Sequence, residues 1–182
     1  MINRRTFLVA APIGLAALSQ PARATTYFTG ATVRQALFPS ATQFVDRSLT
    51  LTSEQAKAIS KASSARVSKS KVAAWEVRGP AGKLGTMFID QVYGKHEFIT
   101  YAVALDPDGQ IRQIEIMDYR ETYGDQIRIP KWRAQFSGKR HGQPLKFTKD
   151  VKNISGATLS CLHITDGVRR VLATYALVIA QG

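Results

Sequence analysis

The residues best suited to chemistry form a short run of small side chains near the C-terminus, Ser155-Gly156-Ala157-Thr158. The residues after this run are predicted to form a helix, so the run lies where a helix begins. Free backbone N–H groups and the helix dipole favour an anion there, small side chains let it come close, and Thr158 adds a hydroxyl. From spacing alone two interpretations stay open: a phosphate-binding loop, or an ordinary helix cap.

The other reactive side chains indicate no second chemistry. His96, His141 and His163 lack the His-x-x-x-His spacing of a zinc site, so we expect no bound metal. Cys161 is the one cysteine of the sequence and follows Thr158 by one helical turn, where we expect it to pack in the core. The sequence has no Ser-His-Asp order or nucleophile elbow, which leaves a hydrolase without support.

Composition sets the size and charge of the protein. The chain has 182 residues, 45% of them hydrophobic, and a formal net charge of +12. The length and the apolar fraction fit one globular domain with a substantial core. The excess of basic residues leaves three kinds of partner open at this point: nucleic acid, an anionic membrane and an acidic partner.

Residues 1–24 have the architecture of a cleaved export signal. The stretch Asn3-Arg4-Arg5-Thr6-Phe7-Leu8 is similar to a twin-arginine signal, and Ala22-Arg23-Ala24 predicts cleavage after Ala24. The alternative is an ordinary secretory signal with two chance arginines. Residues 1–24 hold three basic residues and no acidic one, so the exported, periplasmic protein carries +9. That compartment and the lack of a recognition motif exclude a nucleic-acid partner.

The rest of the chain is predicted to form two segments. Residues 25–71 form a mainly irregular N-terminal segment with one helix, since Thr52-Ser53-Glu54-Gln55 has the spacing of a capping box. Residues 72–182 form the main domain. Four strands are expected between Ala73 and Tyr119, with a hairpin turn at Asp106-Pro107-Asp108-Gly109.

The predicted fold class is α+β. Four strands at hairpin spacing form an antiparallel β-meander, and flanking helices must cover a face of it. The final helix is expected from about Leu162 to Ile179, because apolar residues recur there at helical spacing. The expected protein is therefore a single domain in which the meander packs with helices and the C-terminal helix follows the Ser155–Thr158 loop.

Several stretches of sequence together resemble the FMN-binding domain family. The strongest is Asp150–Ser160, which is similar to the flavinylation motif of that family. Four others occur in the family's order and approximate spacing: Gly94–Ile99, the strand–Asp-Gly–strand hairpin, Tyr119–Gly124 and Gln135–Lys139. The best-known members are the periplasmic flavin subunits of the sodium-pumping NADH:quinone reductase and of the Rnf complex. The resemblance covers roughly residues 72–179.

This resemblance implies a cofactor and a site. It implies that a dedicated flavin transferase esterifies the FMN phosphate to Thr158, and that the loop after the last strand lies beside the flavin. For that loop, a strand-exit turn with a glycine at positive φ is the alternative. The implied cofactor-binding residues are Thr158, Ser155, Gly156, Ala157, Leu159, Glu121, Thr122 and Gly124. We expect Lys149 or Lys152 to stabilise the charge of the phosphate, and Trp75, Trp132 and Tyr123 either to stack on the flavin ring or to pack in the core.

The expected function is electron transfer by an exported flavoprotein. It would act as an electron carrier or as the electron-entry module of a reductase, with a membrane or periplasmic redox partner, and could sit peripherally at the inner membrane. Two alternatives stay open. One is a non-redox periplasmic module that binds an anionic ligand or a membrane surface, and the other is noncovalent FMN on the same fold.

Overall fold

The computed structural model describes residues 25–181, and the predicted export signal lies outside them. The elements in chain order are β1 (Thr25–Thr26), α1 (Gly30–Leu37), β2 (Gln43–Asp46), β3 (Leu49–Thr50), α2 (Ser53–Ser63), β4 (Lys71–Gly79), β5 (Gly82–Tyr93), β6 (Phe98–Leu105), β7 (Ile111–Tyr119), α3 (Pro130–Arg133) and α4 (Thr158–Leu177). Short 3-10 turns lie at Asp125–Arg128, Ala134–Phe136 and Ile179–Gln181. Within the described residues, no helix is both long enough and apolar enough to cross a bilayer.

The centre of the fold is the predicted antiparallel meander. Strands β4, β5, β6 and β7 pair in chain order, and the complete sheet runs β1-β7-β6-β5-β4-β2, with β3 also paired to β4. The β6–β7 connection is the expected hairpin: Asp106 N–H donates to the Gln110 carbonyl at 2.8 Å, and Gly109 adopts a φ of +81°. The α+β fold class is therefore confirmed.

The N-terminal segment contains more structure than one helix, so that part of the prediction is wrong. Besides α2, it forms α1 and three short strands that extend the sheet at both edges. Helix α1 begins with a reciprocal cap in which the Thr29 hydroxyl accepts from Thr32 N–H and Thr32 Oγ1 accepts from Thr29 N–H. A threonine takes the place of the usual Glu or Gln at this position, which weakens the sequence signal. Helix α2 begins at its predicted cap, Thr52.

Helices cover both faces of the sheet. Along β6 the side chains alternate: Ile99, Tyr101 and Val103 join the larger core with α4, whereas Ala102 and Ala104 join a smaller core with α1. The smaller core contains Val33 and Leu37 of α1. Small alanines on that face leave room for α1 to approach the sheet. Burial of these two apolar side chains stabilises α1, whose eight residues are too few for a helix that is stable on its own.

Helix α4 begins at Thr158, four residues before the predicted start. Its N-terminal turn brings Ala157, Cys161 and Ile164 into the core, with relative exposures of 3%, 0% and 0%. The expected packing role of Cys161 is therefore confirmed. The earlier start matters because it makes Thr158 the first residue of the helix.

A buried polar contact fixes α4 to the middle of the sheet. Asp90 Oδ2 on β5 accepts from Arg170 Nη2 at 2.6 Å and from Tyr101 Oη at 2.8 Å. Burial, followed by the charge of Asp90, raises the pKa of Tyr101 well above its usual value, so the phenol stays protonated and donates. Gly167 faces this contact, and a Cβ there would lie 2.3 Å from Tyr101 Oη and 2.8 Å from Val92 Cγ1.

We therefore predict that Gly167→Ala destabilises the protein by about 1–3 kcal/mol, because the added methyl displaces Tyr101 or α4. In an open helical position the same change would stabilise a helix by up to about 1 kcal/mol. Gly30→Ala is the control, since a Cβ at Gly30 meets nothing within 4 Å. Urea unfolding followed by circular dichroism measures both variants. Equal stability of Gly167→Ala and the wild type would contradict the packing described.

Candidate functional site

A cleft of about 400 Å³ lies at the N-terminus of α4. Three separate parts of the chain form it: the β5–β6 turn, the loop after β7, and the start of α4. The lining residues are Lys95, His96, Glu121, Thr122, Tyr123, Gly156, Ala157, Thr158, Leu159 and Ser160. Its volume falls within the range of about 300–1,000 Å³ that is typical of small-molecule sites.

The start of α4 leaves its backbone N–H groups open to the cleft. The Ala157 N–H donates to the Ile154 carbonyl at 3.0 Å, which closes a turn with Gly156 at a φ of +83°. No side chain caps the helix at Ala157. The Thr158 side chain is exposed, and its Oγ1 accepts from Asn153 Nδ2 at 3.1 Å. A free helix N-terminus and an accessible hydroxyl thus meet at one point, which suits an anion.

Glu121 connects the second part of the cleft to the first. Its Oε1 accepts backbone N–H bonds from three consecutive residues of the β5–β6 turn: Lys95, His96 at 2.7 Å and Glu97 at 3.1 Å. Gly94 permits this approach, because a Cβ there would lie 2.4 Å from the same oxygen. The carboxylate therefore holds Lys95 and His96 at the cleft.

These bonds change the titration of Glu121. Partial burial raises the pKa of its carboxyl, but the backbone N–H bonds from His96, Glu97 and Lys95 outweigh burial and hold the pKa below its usual value. The ionised form is thus the one that the fold stabilises. At neutral pH Glu121 acts as an acceptor for the turn.

A tyrosine supports the remaining wall. Tyr119 Oη donates to the Tyr123 carbonyl at 2.5 Å and lies 3.1 Å from Ser160 Oγ, so it ties the loop after β7 to α4. Burial raises the pKa of Tyr119, which keeps its hydroxyl protonated. Gly124 packs against the same group: a Cβ there would lie 2.6 Å from Tyr119 Oη and 3.0 Å from Ala157 Cβ.

Six of the eight sequence-predicted site residues line this cleft. They are Thr158, Gly156, Ala157, Leu159, Glu121 and Thr122. Ser155 is exposed in the turn before α4, and Gly124, at a φ of +97°, packs behind the loop as a strand-exit glycine. Neither of these two lines the cleft.

The basic residues at the cleft differ from those expected. Lys95 and His96 line it, whereas Lys149 lines a groove elsewhere and Lys152 is absent from the lining residues. The sequence contained one signal for Lys95 and His96, since both lie in the Gly94–Ile99 stretch. Their contact with Glu121 spans about 25 positions and could not be read from local pattern.

Of the three aromatic candidates, Tyr123 alone lines the cleft, with a relative exposure of 80%. Trp132 is buried and donates from Nε1 to the Lys152 carbonyl at 2.8 Å. Trp75 packs against the core on the α1 side, where the Arg34 guanidinium lies 4.7 Å from its ring centroid. In the described part of the chain, no group of three His, Cys, Asp or Glu side chains could hold a metal ion.

The sequence model of the FMN-binding domain family matches residues 94–173. This segment of 80 residues is similar to the FMN-binding domain family. The predicted resemblance is thus confirmed, and the matched segment includes every residue that lines the cleft. Among solved structures, the chain is similar to NqrC of Shewanella oneidensis, with 18% identity and a TM-score of 0.45 over 81% of this chain and 71% of that chain. The search of curated proteins found no match.

We predict that Glu121→Ala destabilises the protein by about 1–3 kcal/mol, because three backbone donors lose a charged acceptor. Glu97→Ala is the matched control, since it removes an exposed carboxylate from the same turn while its backbone N–H keeps its partner. Urea unfolding at pH 7 compares the two variants. A loss that is equal in both would contradict the anchoring role.

The pKa of Glu121 also predicts a pH dependence. Because the folded pKa lies below the unfolded one, this group stabilises the fold above the unfolded pKa of about 4.3 and loses that effect as the pH falls through the folded value. The stability difference between wild type and Glu121→Gln should therefore shrink as the pH drops below about 4. Unfolding curves between pH 7 and pH 3 measure it, and a constant difference would contradict the prediction.

Proposed function

We propose that this protein is an exported flavoprotein that carries FMN as an ester of its phosphate on Thr158 and acts in electron transfer. The observation that carries the proposal is the exposed Thr158 hydroxyl at the uncapped start of α4, within the segment that matches the FMN-binding domain family. This combination is specific, because it supplies both the atom for the bond and an environment for the charge.

The chain's own residues fit an esterified phosphate. A phosphate bonded to Thr158 keeps about one negative charge, which the free N–H groups and the dipole of α4 stabilise. Lys95 at the cleft adds a positive charge. Asn153 Nδ2 donates to Thr158 Oγ1 and so orients the hydroxyl toward one position. These residues bind and orient, and none has to move.

The remaining walls fit an aromatic ring system. Tyr123 and Leu159 line the cleft and stay 80% and 41% exposed, so they offer apolar surface beside the helix start. FMN, when bound, supplies the redox chemistry, while the protein sets its orientation and local charge. Covalent attachment would prevent its loss outside the cell, and an open cleft suits electron exchange with a docked protein.

We propose the following maturation and location. Residues 1–24 direct export to the periplasm and are removed, and a flavin transferase then modifies the folded domain at Thr158. The mature protein acts as a carrier or as the electron-entry module of a reductase, with a membrane or periplasmic redox partner, and can associate peripherally with the inner membrane.

We expect the mature protein to be yellow after co-expression with a flavin transferase and to keep its colour on denaturation. Its mass should exceed that of the polypeptide by FMN minus one water. Thr158→Ala should lose this mass entirely, because the bond-forming oxygen is gone. Ser155→Ala is the control, since it removes an exposed hydroxyl from the same turn and should keep the flavin. Intact-protein mass spectrometry and the visible spectrum after denaturation measure both.

The other outcomes separate the alternatives. Flavin released by denaturation would indicate noncovalent FMN on the same fold. A colourless protein in the presence of an active flavin transferase would contradict the proposal. It would favour a non-redox module that binds an anionic ligand or a membrane surface. Loss of flavin in Ser155→Ala with retention in Thr158→Ala would show that the ester is on Ser155 and would contradict the assignment to Thr158.

The charge at the cleft predicts the direction of the flavin's potential. Lys95→Gln should lower it by about 10–20 mV, the equivalent of roughly 0.5–1 kcal/mol for a two-electron couple, because reduced flavin is anionic. Lys83→Gln is the control, because it removes the same charge from a residue that does not line this cleft. Redox titration of the flavin absorbance compares them. An unchanged or raised potential in Lys95→Gln would contradict the prediction.

A further inference from the structure

A second concave surface is strongly basic. It measures about 600 Å³ and lies between residues 140–150, the end of α2 and the middle of α4. We call it the basic groove and define it by Arg140, His141, Lys146, Lys149 and Arg169. Asp150 is the acidic residue among those that line it, and its Oδ2 accepts from the Lys146 backbone N–H at 2.7 Å.

The positive charge of the basic groove is mostly uncompensated. Among the ion pairs of the described residues, Arg169 pairs with Asp166 at 3.3 Å, whereas Arg140, Lys146 and Lys149 take part in none. By contrast, Arg47 and Arg78 both pair with the Glu76 carboxylate on β4. The groove is thus a local source of positive potential, which attracts anionic surfaces.

Two tight turns hold the basic groove in shape. In one, the Lys146 carbonyl accepts from the N–H groups of Asp150 at 2.8 Å and Val151 at 3.2 Å, and Thr148 takes a left-handed φ of +66°. In the other, Arg140 N–H donates to Gln143 Oε1 at 3.1 Å. The lysine and arginine side chains therefore start from fixed backbone positions.

The basic groove and the cleft at Thr158 share one side of α4. Arg169 follows Thr158 by three helical turns, which places it on the same face and about 16 Å along the axis. Exposed Lys152 lies on the segment between them. That segment is pinned, because the Lys152 N–H donates to Gln135 Oε1 at 2.9 Å and its carbonyl accepts from Trp132. The groove and the cleft thus lie along the same face of α4.

We propose that the basic groove is the docking site for an acidic surface of the redox partner protein. The inference rests on the proposed function. A standard interface of about 800 Å² on each partner extends roughly 16 Å from its centre, so a protein centred on the groove also reaches the cleft. The uncompensated positive charge favours a partner with a negatively charged surface. Because the groove lies on the same face of α4 as the cleft, a partner docked there is close to the flavin.

The docked partner would accept electrons from the flavin. A reduced flavin gives up two electrons, one to each of two one-electron acceptor molecules, and its protons pass to water. Plastocyanin, an acidic copper protein, is a suitable probe acceptor because each Cu(II) takes one electron. Basic cytochrome c, whose haem iron also takes one electron, is the probe of opposite charge.

We expect the double variant Lys146→Gln/Lys149→Gln to slow the oxidation of reduced holoprotein by plastocyanin about three- to tenfold at low salt. The difference in rate should vanish near 0.5 M salt, where charges more than about 5 Å apart are screened from each other. With cytochrome c the same variant should react as fast as the wild type or faster. Lys71→Gln/Lys83→Gln removes the same charge away from the groove and is the control. Stopped-flow absorbance measures all rates, and flavin content is checked in each variant.

Equal rates for the groove variant and its control would overturn the docking site while leaving the flavin assignment intact. A second measurement needs no flavin: ¹⁵N amide shifts of the mature protein titrated with reduced plastocyanin. We expect shifts at residues 140–150 and Arg169 that the groove variant loses. Shifts at other residues would also overturn the docking site. Shifts caused by anionic phosphatidylglycerol vesicles but not by plastocyanin would overturn it in favour of a membrane surface.

Discussion

The carboxylate of Asp90 joins the C-terminal helix to the centre of the sheet. It accepts from Arg170 on α4 and from Tyr101 on β6, and all three side chains are largely shielded from water. A charge pair in such a place is costly to break, because the partner left behind stays buried and unpaired. Gly167 leaves the room for it. The axis of α4 is thus fixed against the sheet, and with it the position at which the helix begins.

The start of α4 places the Thr158 hydroxyl and the free backbone N–H groups at the cleft, and separate contacts position the two loops that form its walls. Thr158 is held by the helix itself, whereas Glu121 and Tyr119 tie the two neighbouring loops to it through backbone partners. Each wall depends on a glycine that permits a close approach, Gly94 for Glu121 and Gly124 for Tyr119. A site assembled in this way is rigid before any ligand binds, which lowers the cost of ordering it.

The sequence predicted those features that local spacing determines. The hairpins, the cap at Thr52 and the small-residue turn before α4 all depend on neighbours within a few positions. Helix α1 was missed because Thr32 replaces the Glu or Gln of a usual capping box, and its stability comes from burial against the sheet. Lys95 and His96 were missed at the cleft because Glu121 holds them from a loop that is distant in sequence.

The positive charge of the protein has two physical roles that arginine and lysine divide between them. Every ion pair among the described residues uses an arginine, including Arg170 with Asp90 and Arg133 with Glu115. A planar guanidinium suits such fixed pairs, whereas a lysine ammonium is strongly hydrated and stays at the surface. Arginines such as Arg170 and Arg133 therefore hold the fold together, whereas lysines such as Lys95 and Lys146, with the unpaired Arg140 of the basic groove, produce a positive field at the surface. Because that field is not needed for packing, the positions of the lysines are free to serve binding.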